Sequence, residues 1–243
     1  PKIIHYCWFG GGTISPENRK CMESWKKYCP DYKIIEWNEQ NFDISQNRYA
    51  QQAYEAKKYA FVSDYVRLAV LYRYGGIYLD TDVELVRPLD ELLELPGFMG
   101  FQNNNEVATG LGLGACKGNP VVQALLRDYD ALDFIKADGS ADLTPCPERN
   151  TKVLQTLGVR KDGTRQSIAE MEFFPVEYFC PMDLYTRKLR VTPNTYSIHR
   201  FAESWKPKPS TVSRILQRLL KKHYYTWYCP LRGRIEGRLK KRP

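Results

Sequence analysis

The sequence predicts an α/β domain built on a mostly parallel sheet, followed by a basic helical extension. Short apolar runs at residues 2–9 and 32–37 flank a helical segment, which is the strand, helix, strand order of a βαβ unit. A third apolar run at residues 77–79 follows a long stretch of helical periodicity. Because residues 206–243 instead concentrate Lys and Arg, we expect a domain at residues 1–205 and an extension after it.

The first strand and the first helix have clear predicted limits. The apolar run at residues 2–9 is stopped by three glycines at residues 10–12, which are typical of a flexible loop. Ser15 then provides a helix cap, and Pro16 fits the first helical position. We expect this helix to run to about Tyr28.

A long helix is predicted over residues 53–74, with a break near Ala60. Its apolar side chains recur with the helical period, and the pair Gly75-Gly76 ends it. The strand at residues 77–79 follows at once and ends on Asp80. The helix therefore leads directly into the strand that carries the first acidic residue of interest.

Further elements are predicted along the rest of the domain. In chain order they are strands at residues 83–86 and 97–101, a helix at 120–132, and strands at 172–174 and 196–199. The stretch at 138–149 is predicted to be a loop because it carries Pro145 and Pro147.

The composition is that of a folded globular protein. The chain has 243 residues, of which 43% are hydrophobic and 26% are charged. Its seven cysteines form no Cys-x-x-Cys pair, which argues against a zinc ribbon and favours a reduced protein. No apolar run reaches the ~18–20 residues of a membrane-spanning helix, and residues 1–6 open as a strand. We therefore expect a cytoplasmic protein, soluble or peripheral on the inner face of the cell membrane.

The basic character of the chain belongs to its last segment. The formal net charge is +8, but residues 206–243 hold twelve Lys and Arg against one acid, Glu236, so residues 1–205 are net negative. Apolar side chains at helical spacing face basic ones in this segment, and an aromatic run follows at 224–228. The pattern predicts a helix on an anionic membrane surface. The alternative is an apolar stripe that packs on the domain and leaves a solvated basic face.

The strongest candidate site is the acidic pair in Asp80-Thr81-Asp82. It directly follows an apolar strand, and ligands of open α/β sheets gather at the carboxyl ends of strands. Two carboxylates at this spacing can hold Mn²⁺ or Mg²⁺, which stabilises the charge that develops on a departing diphosphate. Asp64 and Arg67, three residues apart on one helix face, lead towards the same strand. The alternatives are a solvated strand end and a surface ion pair.

Two blocks of the sequence resemble glycosyltransferase family 32. Residues 60–68 contain Ser-Asp-x-x-Arg, and residues 71–82 contain Gly-Gly-x-Tyr-x-Asp-x-Asp. Residues 1–11 and 199–205 also match, so the resemblance covers residues 1–205. The family includes bacterial capsule and lipopolysaccharide sugar transferases and fungal mannosyltransferases, and it is similar in plan to the glucosyltransferase domains of clostridial toxins. The combined block is far more specific than a lone Asp-x-Asp.

The resemblance implies a GT-A fold, with a Rossmann-like nucleotide-binding domain and a mixed sheet. It also implies metal-dependent transfer of a hexose, with retention at the anomeric carbon, from a nucleotide-sugar donor to a glycan or lipid-linked glycan. Surface polysaccharide synthesis is the expected setting. We favour a UDP-hexose donor, and GDP-mannose is the alternative.

Individual residue roles follow from the resemblance. Trp8 would stack on the nucleotide base, whichever base that is, because every base has a π face. Asp64 and Arg67 would hydrogen-bond the donor sugar or its phosphate, and Tyr78 would line the donor pocket. Asp80 would contact the donor and help to hold the metal, Asp82 would be the direct metal ligand, and His199 would be a third ligand. Ser204 and Trp205 would close on the diphosphate. For Trp8 and Tyr78 the alternative is a place in the core, and for His199 it is a structural role.

The match to the family leaves two functions without a residue. Relatives often carry an Asn-containing segment that reaches the anomeric centre, and here residues 103–110 leave the choice of residue open. No side chain stands out as a nucleophile. Retention by a front-face route, in which the leaving phosphate assists the incoming hydroxyl, needs none, whereas a covalent route would.

Two other classes of protein are alternatives to the transferase. A phosphohydrolase of the haloacid dehalogenase type would use residues 79–83 as its nucleophile motif, but it needs a later acidic pair, and no Asp-Asp pair occurs in the chain. A nucleic-acid-binding module would suit the pI of about 9.0. The charge lies in one tail, however, and no nucleic-acid-binding motif is present, so we expect no nucleic-acid partner.

Overall fold

The computed structural model describes residues 1–184 and 186–202. Within these ranges the chain divides into two compact units. The predicted contacts of Ser204 and Trp205 and the predicted basic helix in residues 206–243 lie outside the described residues.

The two units differ greatly in size. The first unit comprises Pro1–Pro181 and Arg190–Ala202. Of the second unit, the described part is a turn within Met182–Leu189, in which the Asp183 N–H donates to the Lys188 carbonyl at 2.9 Å. The helices, the sheets and the candidate site all belong to the first unit.

The first unit is an α/β arrangement. Its helices are α1 (Pro16–Tyr28), α2 (Arg48–Glu55), α3 (Tyr59–Tyr74), α4 (Pro120–Asp130), α5 (Cys146–Thr156) and α6 (Val176–Phe179). Its strands are β1 (Ile3–Cys7), β2 (Lys33–Trp37), β3 (Gly76–Tyr78), β4 (Val83–Leu85), β5 (Gly97–Asn103), β6 (Glu106–Ala108), β7 (Leu113–Ala115), β8 (Gln166–Ile168), β9 (Met171–Phe174) and β10 (Ser197–His199). Short 3₁₀ helices lie at Ile44–Gln46 and Asp90–Glu94.

The main sheet has the strand order β2-β1-β3-β7-β5-β9-β8, and β6 pairs with β5 beside this path. β1 is parallel to both β2 and β3, and β5 is parallel to β9, whereas β7 is antiparallel to both of its neighbours. β4 and β10 form a separate antiparallel pair. The predicted α/β class with a mixed sheet is confirmed.

Local sequence signals explain the limits of α1. The Ser15 hydroxyl accepts from the Asn18 N–H at 3.1 Å and so satisfies one of the unpaired donors of the first turn. Pro16 opens the helix, where a missing N–H costs nothing. Both predictions for this helix, its cap and its end at Tyr28, are confirmed.

The predicted break in the helical stretch at residues 53–74 is confirmed, but it lies a few residues before Ala60. The structure has two helices, α2 and α3, and α2 begins earlier, at Arg48. The break lies at residues 56–58, where Lys57 has a φ of 57°, a left-handed conformation that interrupts a right-handed helix. The predicted end is correct, because the Gly75 N–H donates to the Leu71 carbonyl at 2.8 Å and Gly75 has a φ of 67°.

The predicted loop at residues 138–149 is wrong in part. Helix α5 begins within it, at Cys146, and Pro147 lies in its first turn. Proline interrupts a helix in its interior but is favoured in its first turn, which is where Pro147 lies. This correction bears on the site, because α5 brings side chains to it.

The core of the first unit lies between the sheet and its helices. α3 is its main helix, since nine of its side chains are buried, among them Val62, Val66 and Leu68. Every residue of β3 is buried, and Leu79 after it is 1% exposed. Among the described residues, no helix is both long enough and apolar enough to cross a membrane.

Candidate active site

The acidic pair lies at the end of β3, where the chain turns sharply. The Asp80 N–H donates to the Gly110 carbonyl at 3.0 Å, and the Val83 N–H donates to the Asp80 carbonyl at 3.0 Å. The second bond closes a four-residue turn from Asp80 to Val83. Because the chain reverses there, the side chains of Asp80 and Asp82 can approach one point.

Helix α1 holds this turn in place from one side. The Asn18 side-chain amide donates to the Thr81 hydroxyl at 2.9 Å, and both side chains are buried. About two turns further along α1, the Trp25 indole N–H donates to the Val83 carbonyl at 2.7 Å. The residue between the two aspartates is thus fixed by the helix rather than left to solvent.

The pairing of β10 with β4 brings the third member of the site. In this antiparallel register His199 lies opposite Val83, and Val83 directly follows Asp82 in the chain. His199 Nε2 lies 3.2 Å from Asp82 Oδ1, and the Ala202 N–H donates to Asp82 Oδ2 at 2.8 Å. A histidine from the end of the described chain therefore reaches the acidic pair, as the resemblance implies.

Asp80, Asp82 and His199 form a cluster that fits a divalent cation. One ligand atom from each lies within 4.8 Å of the others, and no other such group occurs in residues 1–184 and 186–202. His199 Nδ1 is buried and has no hydrogen-bond partner among residues 1–184 and 186–202. Two carboxylates with one imidazole match the ligands of Mn²⁺, and the carboxylates alone suit Mg²⁺.

The electrostatics of Asp82 and His199 favour a positive charge between them. Burial raises the pKa of Asp82, but the His199 charge and the hydrogen bonds from His199 and Ala202 outweigh it and set the pKa at about 2. Burial lowers the pKa of His199, and Asp82 more than reverses this, so the net direction is upward. A bound cation would replace the proton that this pair holds.

Arg67 joins Asp64 to Asp80 in a buried network. Its terminal nitrogen Nη2 lies 3.0 Å from Asp64 Oδ1 and 3.1 Å from Asp80 Oδ1. Asp64 is 8% exposed and Arg67 is 5% exposed, so the alternative of a surface ion pair is excluded. Burial, opposed by the Arg67 charge, raises the pKa of Asp64 to about 6. The structure therefore brings Asp64, Arg67 and Asp80 together.

Tyr78 supports Asp80 from the core side. Its side chain is 1% exposed, and its hydroxyl donates to Asp80 Oδ1 at 3.0 Å. Oδ1 of Asp80 thus accepts from both Tyr78 and Arg67. The other oxygen, Oδ2, lies against Gly110 so closely that a Cβ on Gly110 would collide with it.

Trp8 lies at the same sheet edge as Asp80. It directly follows β1, Asp80 lies just beyond the neighbouring parallel strand β3, and the carboxyl ends of parallel strands share an edge. Its indole N–H donates to the Gly12 carbonyl at 2.5 Å, and the side chain is half-buried. Trp8 is therefore not a core residue, and its stacking on a base stays a prediction.

The segment at residues 103–110 forms a hairpin beside the site. Asn103, Asn104 and Asn105 are exposed around its turn, whereas Thr109 is fully buried and Gly110 touches Asp80. The structure brings only the far end of the segment to the acidic pair.

Five residues at the site were not predicted from the sequence: Asn18, Thr109, Gly110, Cys146 and Asn150. They come from three different parts of the chain and carry no shared motif. Cys146 and Asn150 lie four residues apart in the first turns of α5, so recognition of the helix start at Pro147 would have placed both on one face.

The fold and the site define an α/β protein with a cluster that can hold a divalent cation at the carboxyl edge of its sheet. Residues 15–98 match the family model described as the glycosyltransferase sugar-binding region containing DXD motif. Residues 15–98 are therefore similar to the DXD sugar-binding region of glycosyltransferases, which agrees with the resemblance seen in the sequence. This region contains α1, α3 and the acidic pair, but not His199.

Similar proteins are sugar transferases. The chain is 30% identical over 145 residues to "Inositol phosphoceramide mannosyltransferase 3" of Schizosaccharomyces pombe, covering 55% of this chain and 38% of the relative. It is 26% identical over 149 residues to the human "Alpha-1,4-N-acetylglucosaminyltransferase", covering 61% and 38%. The solved structure titled "PaToxG Glycosyltransferase" aligns with 64% of this chain and 68% of its own, at 21% identity and a TM-score of 0.46. The chain spans about two fifths of the length of these two curated relatives.

Proposed function

We propose that the chain is a retaining glycosyltransferase that moves a hexose from a nucleotide-diphosphate sugar to a glycan or a lipid-linked glycan. The observation that carries the proposal is the convergence of Asp80, Asp82 and His199 at the end of β3, inside an α/β fold with a DXD sugar-binding region. Surface polysaccharide synthesis is the setting that we propose for it.

Asp80, Asp82 and His199 would hold Mn²⁺ or Mg²⁺. When bound, such an ion stabilises the negative charge of a departing diphosphate by several kcal/mol. The protein contributes by fixing the ligands: Asn18 orients the turn through Thr81, and the Ala202 N–H orients Asp82. Trp8 would place the nucleotide by stacking on its base.

The proposed transfer follows a front-face route. The acceptor hydroxyl attacks the anomeric carbon on the side from which the diphosphate leaves, the bond from carbon to the diphosphate oxygen breaks, and the hydroxyl proton passes to the leaving phosphate. This route needs no protein nucleophile. It agrees with the pairing of Asp64 and Asp80 to Arg67, which occupies an oxygen of each carboxylate.

The donor that we favour is a UDP-hexose. GDP-mannose is a second candidate, supported by the mannosyltransferase activity in the name of one relative. The same name includes a phosphoceramide, which supports a lipid-linked acceptor for this chain. Stacking on Trp8 does not by itself distinguish uracil from guanine.

We also propose that the protein is cytoplasmic and binds the inner face of the cell membrane through residues 206–243. The support is the concentration of Lys and Arg in this segment, beside a net negative remainder. Each basic residue near an anionic surface contributes about 1 kcal/mol. A transferase that extends lipid-linked glycans would meet its acceptor there.

A thermal-shift screen tests the proposed function. The protein is heated with UDP or GDP, each with Mn²⁺ or with EDTA, and we expect one nucleotide plus Mn²⁺ to raise the melting temperature. A ligand at a hundred times its dissociation constant adds about 2.7 kcal/mol to the free energy of unfolding. Release of the same nucleotide from its hexose conjugates is then followed with Mn²⁺ present.

Asp82→Ala is the matched variant, and Asp138→Ala, an exposed aspartate in a turn, is its control. We expect the shift to be lost only in Asp82→Ala. If no nucleoside diphosphate shifts the melting temperature in the parent protein, and none of the tested nucleotide sugars is cleaved, the proposal is wrong.

A further inference from the structure

Residues 199–202 hold Asp82 at three of its atoms. The Arg200 N–H donates to the Asp82 carbonyl at 2.9 Å, and the Ala202 N–H donates to Asp82 Oδ2 at 2.8 Å. His199 Nε2 lies 3.2 Å from the other carboxylate oxygen, Oδ1. One short segment of the chain therefore fixes both the backbone and the side chain of Asp82.

The backbone of Phe201 ends the pairing of β10 with β4. In a continued antiparallel ladder the Ala202 N–H would bind the Asp80 carbonyl, but that carbonyl already accepts from the Val83 N–H. Phe201 has a φ of 51°, a left-handed conformation that a large side chain rarely adopts. The chain turns there, and the Ala202 N–H meets the Asp82 carboxylate instead.

The side chain at this turn is unexpectedly large. Glycine would adopt the same φ without a steric cost, so the backbone alone gives no reason for a phenylalanine at position 201. Strained backbone of this kind clusters at functional sites. The aromatic ring is therefore the part of Phe201 for which a role has to be found.

The Phe201 ring packs on the imidazole of His199. The two ring centres lie 4.3 Å apart and their planes are inclined by 63°, an edge-to-face arrangement that aromatic pairs favour. Phe201 is 8% exposed, so little water reaches the contact. The imidazole thus has two neighbours that can fix its orientation, the Asp82 carboxylate at Nε2 and the Phe201 ring.

The second imidazole nitrogen of His199 is not oriented by a hydrogen bond within the described residues. Nδ1 is buried, and no acceptor for it occurs in residues 1–184 and 186–202. Histidines that bind metals almost always donate the second ring N–H to a carboxylate, a backbone carbonyl or water, which fixes the plane of the ring. For His199, packing against Phe201 can supply the restraint that such an acceptor supplies elsewhere.

We propose that Phe201 is a positioning residue of the candidate cation site, and that its ring holds the His199 imidazole in the plane in which Nε2 faces Asp82. The inference rests on the proposed function, because it names a residue that shapes the cation site of the same enzyme. A phenylalanine has no ligand atom for a cation. Phe201 therefore acts on the cation only through His199.

The first experiment compares Mn²⁺ with Mg²⁺ on the full chain. Mg²⁺ is bound through oxygen, so a misplaced imidazole should cost it little. Free Mn²⁺ is titrated by electron paramagnetic resonance, and Mg²⁺ binding is measured by calorimetry. We expect Phe201→Ala to weaken Mn²⁺ binding about tenfold, as loss of a group that orients a metal ligand does, and to leave Mg²⁺ binding within about twofold.

Phe42→Ala is the matched control. It truncates a phenylalanine of similar burial, which packs on Trp37 and Tyr65 instead of on the cluster. We expect it to lower the melting temperature and to leave the affinities for both cations unchanged.

A spectroscopic measurement shows whether the imidazole is bound to the ion. Electron spin echo envelope modulation of bound Mn²⁺ detects the nitrogen nucleus of a coordinated imidazole. We expect this modulation in the parent protein, a clear loss of it in Phe201→Ala, and its retention in Phe201→Tyr, which keeps the ring. Lower stability alone would not remove the signal from the molecules that remain folded.

A double variant tests whether Phe201 acts through His199. His199→Ala should weaken Mn²⁺ binding at least as much as Phe201→Ala does, and the two changes together should cost no more than His199→Ala alone, because coupled residues have non-additive effects. Phe201→Gly removes the ring with a residue suited to a φ of 51°. It gives the same test if Phe201→Ala folds poorly.

Three results overturn the proposal. The first is a Phe201→Gly protein that keeps the parent affinity for Mn²⁺ and the parent nitrogen modulation. The second is an equal weakening of Mn²⁺ and Mg²⁺, or an additive loss in the double variant. The third is a parent protein that binds no Mn²⁺ or shows no nitrogen modulation. Failure of the proposed function is a separate outcome, seen as no turnover of any nucleotide sugar by the parent protein.

Discussion

The two oxygens of Asp80 have different surroundings, and this difference organises the site. Oδ1 accepts hydrogen bonds from Arg67 and Tyr78, while Oδ2 lies against the bare Cα of Gly110. Any side chain at Gly110 would occupy the space of that oxygen. Glycine is thus required here for the close approach of a carboxylate.

Gly110→Ala is predicted to damage the cation site more than the fold. The added methyl collides with Asp80 Oδ2 and turns the carboxylate, so we expect Mn²⁺ affinity to fall by about tenfold or more. Calorimetric titration with Mn²⁺ measures this. Gly139→Ala is the control, because its added Cβ meets nothing within 4 Å and brings only the strain of a φ of 77°. Unchanged Mn²⁺ affinity in Gly110→Ala would contradict the placement of Oδ2.

Asp64 is predicted to make stability fall as pH rises. Its pKa is raised to about 6 when folded, against about 3.9 in an unfolded chain. The native state holds the Asp64 proton more tightly than the unfolded chain does. Ionisation of Asp64 therefore lowers the free energy of unfolding, by nothing below about pH 4 and by about 3 kcal/mol at most above about pH 6. Asp64→Asn removes the penalty, and its stability relative to the parent should therefore improve between pH 4.5 and pH 7.5.

Urea unfolding of parent and variant at the two pH values measures the difference. Asp138→Asn is a useful contrast, because hydrogen bonds from Ser140 lower the pKa of Asp138 and give its contribution the opposite sign. An equal difference between Asp64→Asn and the parent at both pH values would show that Asp64 titrates normally.

At the scale of elements, α4 is stabilised by one buried cap. The Asn119 carbonyl oxygen accepts from the Val121 N–H at 3.0 Å and the Val122 N–H at 3.2 Å, and its amide donates to the Glu170 carbonyl at 3.3 Å. Asn119 is 3% exposed. The cap therefore joins α4 to the end of the main sheet without touching the cation cluster.

Asn119→Ala is predicted to lower stability and to leave Mn²⁺ affinity unchanged. Loss of a cap costs about 0.5–2 kcal/mol. Denaturant unfolding should show a loss of this size. Asn194→Ala, which changes an exposed asparagine, is the control. A change in Mn²⁺ affinity would contradict the separation of fold and site that the hydrogen bonds indicate.

The sequence predicted the elements whose limits have local causes. Ser15 and Pro16 define the start of α1, and Gly75 defines the end of α3, because each acts through its own backbone. Strand β7 was not predicted, since Leu113–Ala115 is a three-residue strand that owes its place between β3 and β5 to pairing alone. The same reason explains why the separate pairing of β4 with β10 could not be predicted.

The residues of the candidate site also fall into those that the sequence predicts and those that only the fold brings together. Asp64, Arg67, Asp80 and Asp82 lie close together in the chain, so one sequence block contains all four. The remaining residues reach the site only through packing: Asn18, Thr109, Gly110, Cys146 and Asn150. Their contribution is a buried hydrogen bond or an absent side chain, and neither leaves a pattern in a single sequence.

The whole molecule separates its charge along the chain. Residues 1–205 are net negative, whereas residues 206–243 hold twelve basic residues. Repulsion between the first part and an anionic surface would keep nonspecific contact of the domain low. Binding to such a surface would then depend on the last segment.

Sedimentation with anionic lipid vesicles tests this dependence. We expect the full chain to bind vesicles that contain phosphatidylserine and to dissociate as salt rises from about 0.05 M to 0.5 M, because screening shortens the reach of surface charge. Neutral phosphatidylcholine vesicles are the control. A chain that ends near Lys206 should stay in the supernatant, and equal sedimentation of both chains would refute the membrane role of the segment.

The contact between Asp82 and the last described strand has a consequence for synthesis. The Ala202 N–H that binds Asp82 lies 120 residues further along the chain, and His199 comes with it. A nascent chain that has released the acidic turn from the ribosome must wait on the order of ten seconds, at roughly 5–20 residues per second, before these partners are made. Nascent chains and prematurely terminated products therefore lack one or more of the three candidate ligands, so the candidate cation site can form only after synthesis has passed His199 and Ala202.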